Sequence, residues 1–277
     1  MIDASRDITF PTRSLAARRS RISGVIRRDI AAMQHSPVRI VEIFFWPVVY
    51  LVMWGLVSSY LSANRVPLIA EALLGGAILW EVLHRASREV GLSFLEDVWT
   101  RNTLNLHVTP LTTGEYLTGL ALLSLGKIAA VTLVMSGAAA VLYGFGLYTI
   151  GIALVPFMAL LLALGWALAM LAMASVLRFG QGAQVVAWTL VFIIQPFVGV
   201  FYPISVLPRS LRLLANITPA SYVFEGMRSV QAGQPLPWQH LAIAGLLDAV
   251  YILAAVLIYA RTLRRARTTG RLARLGE

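Results

Sequence analysis

The feature that most constrains this chain is a run without any charged residue, which extends from Lys127 to Arg178. The run is longer than the roughly 20 residues that one membrane-spanning helix needs, and Gly144 and Gly146 mark a turn within it. Over the whole chain 58% of residues are hydrophobic and 13% are charged, whereas soluble domains carry roughly a quarter charged residues. This composition excludes a disordered chain and most soluble enzymes, and it predicts a polytopic membrane protein.

Apolar stretches of sufficient length predict an all-α fold with six transmembrane helices. We expect these spans at about residues 40–61, 67–83, 116–143, 150–177, 183–201 and 241–260. The second span is less clean than the others because it holds Glu71 and Glu81. The predicted organisation is therefore a basic segment over 1–39, a membrane domain over 40–260 and a basic tail over 261–277.

Arginine is concentrated at the two ends of the chain, with eight in the first 39 residues and six in the last 17. The positive-inside rule then predicts that both termini are cytoplasmic. We expect a multi-pass protein of a bacterial inner membrane. The net charge of +10 is explained by this placement and indicates no nucleic-acid partner.

The N-terminal segment has apolar residues at helical spacing between Ser14 and Met33, with arginines filling much of the remainder. This pattern is typical of an amphipathic helix that lies in the headgroup plane of a bilayer. A solvated cytoplasmic helix is the alternative interpretation.

Motifs for catalysis and for nucleotide or metal binding are missing from the sequence. There is no cysteine, the four histidines are scattered, and the nearest approach to a phosphate-binding loop ends in Gly126-Lys127-Ile128 inside an apolar span. We therefore predict no catalytic, cofactor-binding or metal-binding residue on this chain. Any nucleotide chemistry would belong to another chain.

Five ionisable residues fall within the predicted spans, where burial of a charge is costly. For Lys127 and Asp248 two interpretations stay open: they line a substrate path or form an interhelical ion pair, or they extend to an interface. Glu42, Glu71 and Glu81 lie near the span ends, which favours the second interpretation for them.

Two segments carry a family resemblance. The first reads SFLEDVWTRNTLNLHVTPLTTGEYL from Ser93 to Leu117, and the second reads QPFVGVFYPISVLPRSLRLLANITPASYVFEGMR from Gln195 to Arg228. With six spans and a basic amphipathic start, they resemble the permease subunits of type-two ATP-binding-cassette (ABC) exporters. Asn102 departs from the pattern, since many members have glycine before the Thr-Leu pair.

The resemblance implies a role for each segment. The first, within about 93–113, would contain a coupling helix that docks on an ATPase subunit, with its contacts made by Leu95, Glu96, Asp97, Val98, Trp99 and Arg101. The second, about 203–238, would form short re-entrant helices that close the outward side. Its residues, with the end of the fifth span, are Phe197, Phe201, Tyr202, Pro203, Pro208, Pro219, Tyr222, Glu225 and Arg228.

The resemblance also implies the partners: two ATPase subunits that hold ATP and magnesium, a second copy of this chain or a close paralogue, and the lipid bilayer. The transported compound would be a glycan, a lipid-like molecule or another hydrophobic substrate. The alternative function is an ATP-independent channel or a proton-coupled carrier, for which Lys127 and Asp248 are the main support. An intramembrane enzyme lacks a nucleophile or metal set.

Overall fold

The computed structural model describes residues 14–34, 36–64, 67–99 and 109–269. Within these ranges the regular structure is helical, with four short 3₁₀ turns at Leu147–Ala153, Gln181–Ala183, Gln195–Phe197 and Ile204–Val206. The α-helices of the described ranges are α1 (Leu15–Gln34), α2 (Pro37–Ala63), α3 (Pro67–Trp99), α4 (Thr113–Tyr143), α5 (Leu154–Phe179), α6 (Gln184–Ile194), α7 (Arg209–Asn216), α8 (Pro219–Gln231) and α9 (Trp238–Thr268).

Four helical stretches within the described ranges are long and apolar enough to cross a membrane. They are Pro37–Ala63, Thr113–Tyr143, Ile150–Phe179 and Trp238–Thr268. They correspond to the first, third, fourth and sixth predicted spans, so the prediction of an all-helical, multi-pass membrane protein is confirmed.

The second predicted span differs most from its expectation. We predicted that it ends at about residue 83, whereas α3 is a single helix that continues to Trp99. It persists because the charged residues of its second half find partners on neighbouring helices. Most side chains between Leu73 and Val98 are buried, and α3 contacts α2, α4, α5, α6 and α8, so it is the central helix of the bundle.

The fifth predicted span also needs correction, because α6 ends at Ile194 rather than at Phe201. Pro196, which has no amide hydrogen to continue an α-helix, lies in the 3₁₀ turn that follows. The chain then turns at Gly199, whose φ of 68° favours glycine.

The third span has clear signals at both ends. Thr112 and Glu115 form a capping box at the start of α4, and Gly144 ends the helix in the left-handed conformation with φ 63°. Its boundaries agree with the prediction to within three residues.

Close packing at Gly165 joins α5 to α3. A Cβ at Gly165 would meet the backbone of α3, with the Leu83 carbonyl oxygen at 2.9 Å. The small side chain at position 165 thus permits close helix packing within the chain.

One end of the bundle, which we call the arginine end, gathers α1, the first turns of α2 and α4 and the last turns of α3, α5 and α9. A core cluster joins α1, α3, α4, α5 and α9 there, with Val25, Phe94, Tyr116, Leu177 and Leu263 among its members. The first turn of α2 is connected by the Arg39–Glu96 ion pair. Helices α7 and α8 lie toward the opposite end, where α8 packs on α3, α5 and α9.

Candidate functional site

A buried ionic cluster occupies the second half of α3. Its centre is Arg85, which is only 2% exposed. The Arg85 guanidinium donates to the carboxylate of Glu81 at 2.7 Å and to that of Glu89 at 2.9 Å, one turn away on either side, and also to the backbone carbonyl of Ile43 on α2. Glu81 is therefore a buried ion-pair partner, and our interpretation that it reaches an interface is wrong.

Side chains from α2 and α4 extend the cluster. Lys127 of α4 donates to Glu89 at 2.9 Å, so Lys127 forms the interhelical ion pair that was one of its two interpretations. Glu42 accepts from Arg88 at 2.8 Å, and Arg39 pairs with Glu96. These side chains surround a cavity of about 30 Å³, which is room for a water molecule or two.

Helix α1 joins the same end of α3 through further charges. Arg28 contacts Asp97 at 2.8 Å, Ser93 donates to Asp29 at 2.8 Å, and the Tyr116 hydroxyl of α4 donates to Asp97 at 2.7 Å. The last turns of α3 are thus held against α1, α2 and α4 by hydrogen bonds and ion pairs.

The segment after α6 is held by an ion pair on α8. The Arg228 guanidinium lies 2.8 Å from the Glu225 carboxylate. Residues three apart lie on the same face of a helix, which permits this ion pair. Glu225 accepts a hydrogen bond from the backbone N–H of Ile204 at 2.7 Å, and Arg228 donates to the backbone carbonyl of Gly199 at 2.6 Å. The pair therefore connects α8 to both ends of the 199–204 stretch.

Aromatic and backbone contacts hold the same stretch against α2 and α3. The Phe201 ring stacks on Trp54 of α2 with centroids 3.8 Å apart. A Cβ at Gly76 of α3 would meet the carbonyl oxygen of Val200 at 2.5 Å, so the absence of a side chain at Gly76 permits this approach.

The other residues that the resemblance assigned to the outward side lie near the 199–204 stretch or on α8. The Tyr222 hydroxyl donates to the Asn216 carbonyl at 3.0 Å, and the Tyr202 hydroxyl donates to the Pro196 carbonyl. Pro219 is buried at the start of α8, Phe197 is half-buried, and Pro203 and Pro208 are exposed.

Asp248 is a buried carboxyl in the middle of α9. It is 3% exposed, and neither of its carboxylate oxygens has a hydrogen-bond partner among the described residues. Within the same residues no group of three or more histidine, aspartate or glutamate side chains is arranged to hold a metal ion.

A family model for the ABC-2 type transporter matches residues 21–232. The match covers more than half of the chain and includes both the ionic cluster and the 199–204 stretch. The chain belongs to the ABC-2 type transporter family. The comparison with curated proteins gave no match. Permeases of this family work with ATP-binding-cassette ATPase partners and dimerise.

The predicted coupling residues of this ABC-2 permease do not share one surface. Leu95 and Val98 are 2% and 1% exposed and pack in the core of the arginine end. In this structure Leu95 and Val98 are therefore not exposed to a docking partner, contrary to the role that the resemblance implied for them. Trp99 itself is 44% exposed at the end of α3.

The charged members of the predicted set also have partners within the permease. Asp97 pairs with Arg28 and Glu96 with Arg39. Burial raises the pKa of the Glu96 carboxyl, and the Arg39 guanidinium opposes this effect. Arg101 lies outside the described residues.

Sequence reasoning missed Arg85, Arg88 and Glu89. The available signal was the spacing of Glu81, Arg85 and Glu89, because residues four apart face each other only on a continuous helix. That spacing favours a helix that continues beyond Leu83, where we expected the span to end.

Proposed function

We propose that this chain is the membrane subunit of an ATP-driven ABC exporter. Two copies form the path for a glycan, lipid-like or hydrophobic substrate, and two separate ATPase subunits bind ATP and magnesium and drive the transport outward. The observation that carries this proposal is the ABC-2 family match over residues 21–232, in a chain with four apolar helices long enough to span a membrane.

The proposal includes six crossings in a bacterial inner membrane, with both termini in the cytoplasm. The two further crossings are the first half of α3, and α6 together with the residues that follow it to about 201, since the 11 residues of α6 alone are fewer than the roughly 20 that a crossing needs. For α3 the support is its direction relative to α2. α2 and α3 form an antiparallel pair in which Ser58 donates to the carbonyl of Ala70 near the turn, and Arg39 pairs with Glu96 at the other end.

The unusual composition of α3 is compatible with such a crossing. Charges at membrane depth are tolerated when they face protein and are paired. Arg85 is enclosed by its own helix and α2, and the Glu89 carboxylate is shared between Arg85 and Lys127.

Coupling to the ATPase is assigned to the end of α3 and to residues 100–108 that follow it. Trp99 is the exposed aromatic of this end, and interface anchors are often aromatic. The Arg28–Asp97 and Arg39–Glu96 pairs connect this end to α1 and α2, so force applied by the partner on α3 would reach the first helices of the permease.

Closure of the outward side is assigned to the 199–204 stretch and α8. Non-helical backbone within a membrane is tolerated only where protein or a water-filled cavity covers it. Val198, Gly199 and Val200 are buried, and the Glu225–Arg228 pair fixes their position relative to α8.

A proton-coupled carrier is the second candidate function, and the observation that favours it is the unpartnered Asp248. Lys127 now gives it less support, because its ammonium group is occupied by Glu89.

The topology is tested by reporter fusions placed along the chain. Fusions after Leu147 and Gln234 should report the outside, and fusions after Arg101 and Glu277 should report the cytoplasm. A cytoplasmic signal from the fusion after Leu147 or from the fusion after Gln234 would contradict six crossings. Mass spectrometry of small molecules retained by the chain and its co-purifying partner would identify the substrate class.

A further inference from the structure

An open groove separates the last turns of α5 and α9 at the arginine end. Its volume is about 740 Å³, and its lining includes the guanidinium groups of Arg178, Arg261 and Arg265 together with apolar side chains such as Leu177 and Ile258. No carboxylate is among the described residues that line it. The groove therefore combines several cationic groups with an apolar wall.

Two cations of this groove, Arg261 and Arg265, differ from the cations on the other side of the same end. On that side ion pairs join carboxylates to five cationic side chains, namely Arg21, Arg28, Arg39, Arg88 and Lys127. Among the described residues no ion pair joins Arg261 or Arg265 to a carboxylate. Two neighbouring guanidinium groups without a carboxylate partner favour an anion from outside the chain.

The surface that leads into the groove is an exposed apolar side of α9. Leu246, Val250, Leu253 and Leu257 are between 44% and 70% exposed and follow one another at spacings of four, three and four residues. Arg261 is four residues beyond Leu257, so it continues the same stripe. An acyl chain on this stripe would place its headgroup at the guanidinium groups.

The last residues of α5 also indicate that the groove lies at the level of lipid headgroups. Phe179 is 69% exposed, and the Arg178 guanidinium lies 5.2 Å from the centre of its ring. An arginine at the end of a membrane-spanning helix extends its side chain to the headgroup level of a bilayer. The groove thus opens where the phosphates of a leaflet would lie.

We propose that the groove between α5 and α9 binds the headgroup of an anionic phospholipid. Arg178, Arg261 and Arg265 contact the phosphate, while the acyl chains lie along Leu253 and Leu257 of α9. This site is independent of the transported substrate and of the ATPase, since it lies on the outer surface of the arginine end and uses side chains to which neither role is assigned.

The test counts the lipids that the full-length chain retains. The protein is assembled in nanodiscs with equal amounts of phosphatidylcholine and phosphatidylglycerol, transferred to detergent and analysed by native mass spectrometry. Wild type should retain phosphatidylglycerol in preference to phosphatidylcholine. The double variant Arg261→Gln/Arg265→Gln should lower this retention by about tenfold or more, because each arginine near a membrane surface contributes measurably to anionic-lipid binding.

The matched control is Arg264→Gln/Arg267→Gln, which removes the same charge from exposed positions of the same helix that do not line the groove. It should retain the lipid as wild type does. Equal loss in both double variants would overturn the site in favour of general charge attraction, and undiminished retention in Arg261→Gln/Arg265→Gln would overturn it outright.

Two further experiments distinguish the lipid from a free anion and from a protein partner. Inorganic phosphate added to delipidated protein should not protect it against thermal unfolding, and protection equal to that by phosphatidylglycerol would replace the lipid with a free anion. If the groove variant kept its lipid but lost the ATPase partner, the groove would be a protein contact and the proposal would fail. Arg178→Gln on α5 should reproduce a severalfold loss of lipid if the α9 variant folds poorly.

Discussion

At the scale of single residues, Trp99 and Val98 are adjacent in sequence and differ sharply in environment. Val98 is 1% exposed within the core of the arginine end, whereas Trp99 is 44% exposed at the end of α3. A substitution at each position therefore separates folding of the permease from docking of its partner.

We expect Trp99→Ala to leave the thermal midpoint of the permease nearly unchanged and to reduce co-purification of the ATPase. Truncation of an aromatic anchor typically costs an interface about 2 kcal/mol or more. Val98→Ala, the control, should lower the free energy of unfolding by about 1 kcal/mol through loss of buried methyl groups. Full recovery of the partner by Trp99→Ala protein, with transport intact, would move the docking surface elsewhere.

Lys127 gives the second residue-scale prediction. In Lys127→Met the Glu89 carboxylate loses one of its two cationic partners but remains buried, and the free energy of unfolding should fall by about 1–3 kcal/mol. Glu89→Gln/Lys127→Met should recover part of this loss, because both charges are gone. The control is Leu133→Met, because Leu133 lies on the same helix and is 73% exposed. A single variant as stable as that control would exclude a stabilising ion pair.

At the scale of elements, hydropathy predicted α2, α4, α5 and α9, because each carries its own evidence for helix formation. The Thr112–Glu115 capping box and Gly144 define α4 without any tertiary contact. The length of α3 could not be predicted from its apolar content, since the partners of its charges come from other helices. Asp97 meets Arg28, which is 69 residues away in sequence.

At the 199–204 stretch the prediction also failed for lack of tertiary information, but there the predicted span was too long. The Glu225–Arg228 pair follows from local spacing, but its contacts with Gly199 and Ile204 depend on the break after α6. Hydropathy extended the fifth span through that break. Only the proline at position 196 indicated that the α-helix would end earlier.

The element-scale prediction uses the absence of native cysteine. Val200→Cys introduces a thiol at a position that is 1% exposed, so a membrane-impermeant maleimide should label it slowly. In the background Glu225→Ala/Arg228→Ala the stretch loses its side-chain hydrogen bonds to α8, and labelling of Val200→Cys should become several times faster. Ser205→Cys, at an exposed position, should label quickly in both backgrounds. Unchanged protection of Val200→Cys would show that the ion pair does not hold the stretch closed.

At the scale of the whole molecule, the two ends of the bundle have different chemistry. The arginine end contains the ionic cluster and the last turns of α3, while the opposite end contains α7 and α8 with the 199–204 stretch against α2 and α3. Since α3 extends through 33 residues, or about 50 Å at 1.5 Å per residue, one rigid element joins the proposed coupling surface to the proposed outward closure.

The central claim is that this ABC-2 permease transports only when a separate ATPase drives it. The most direct measurement is ATP hydrolysis by three samples in lipid vesicles: the purified chain alone, the co-purifying ATP-binding-cassette subunit alone, and the two together. We expect no turnover from the chain alone, and more turnover from the complex than from the ATPase alone. Trp99→Ala should remove that increase. Turnover by the single chain with contaminants excluded, or a complex no more active than the ATPase by itself, would contradict the account.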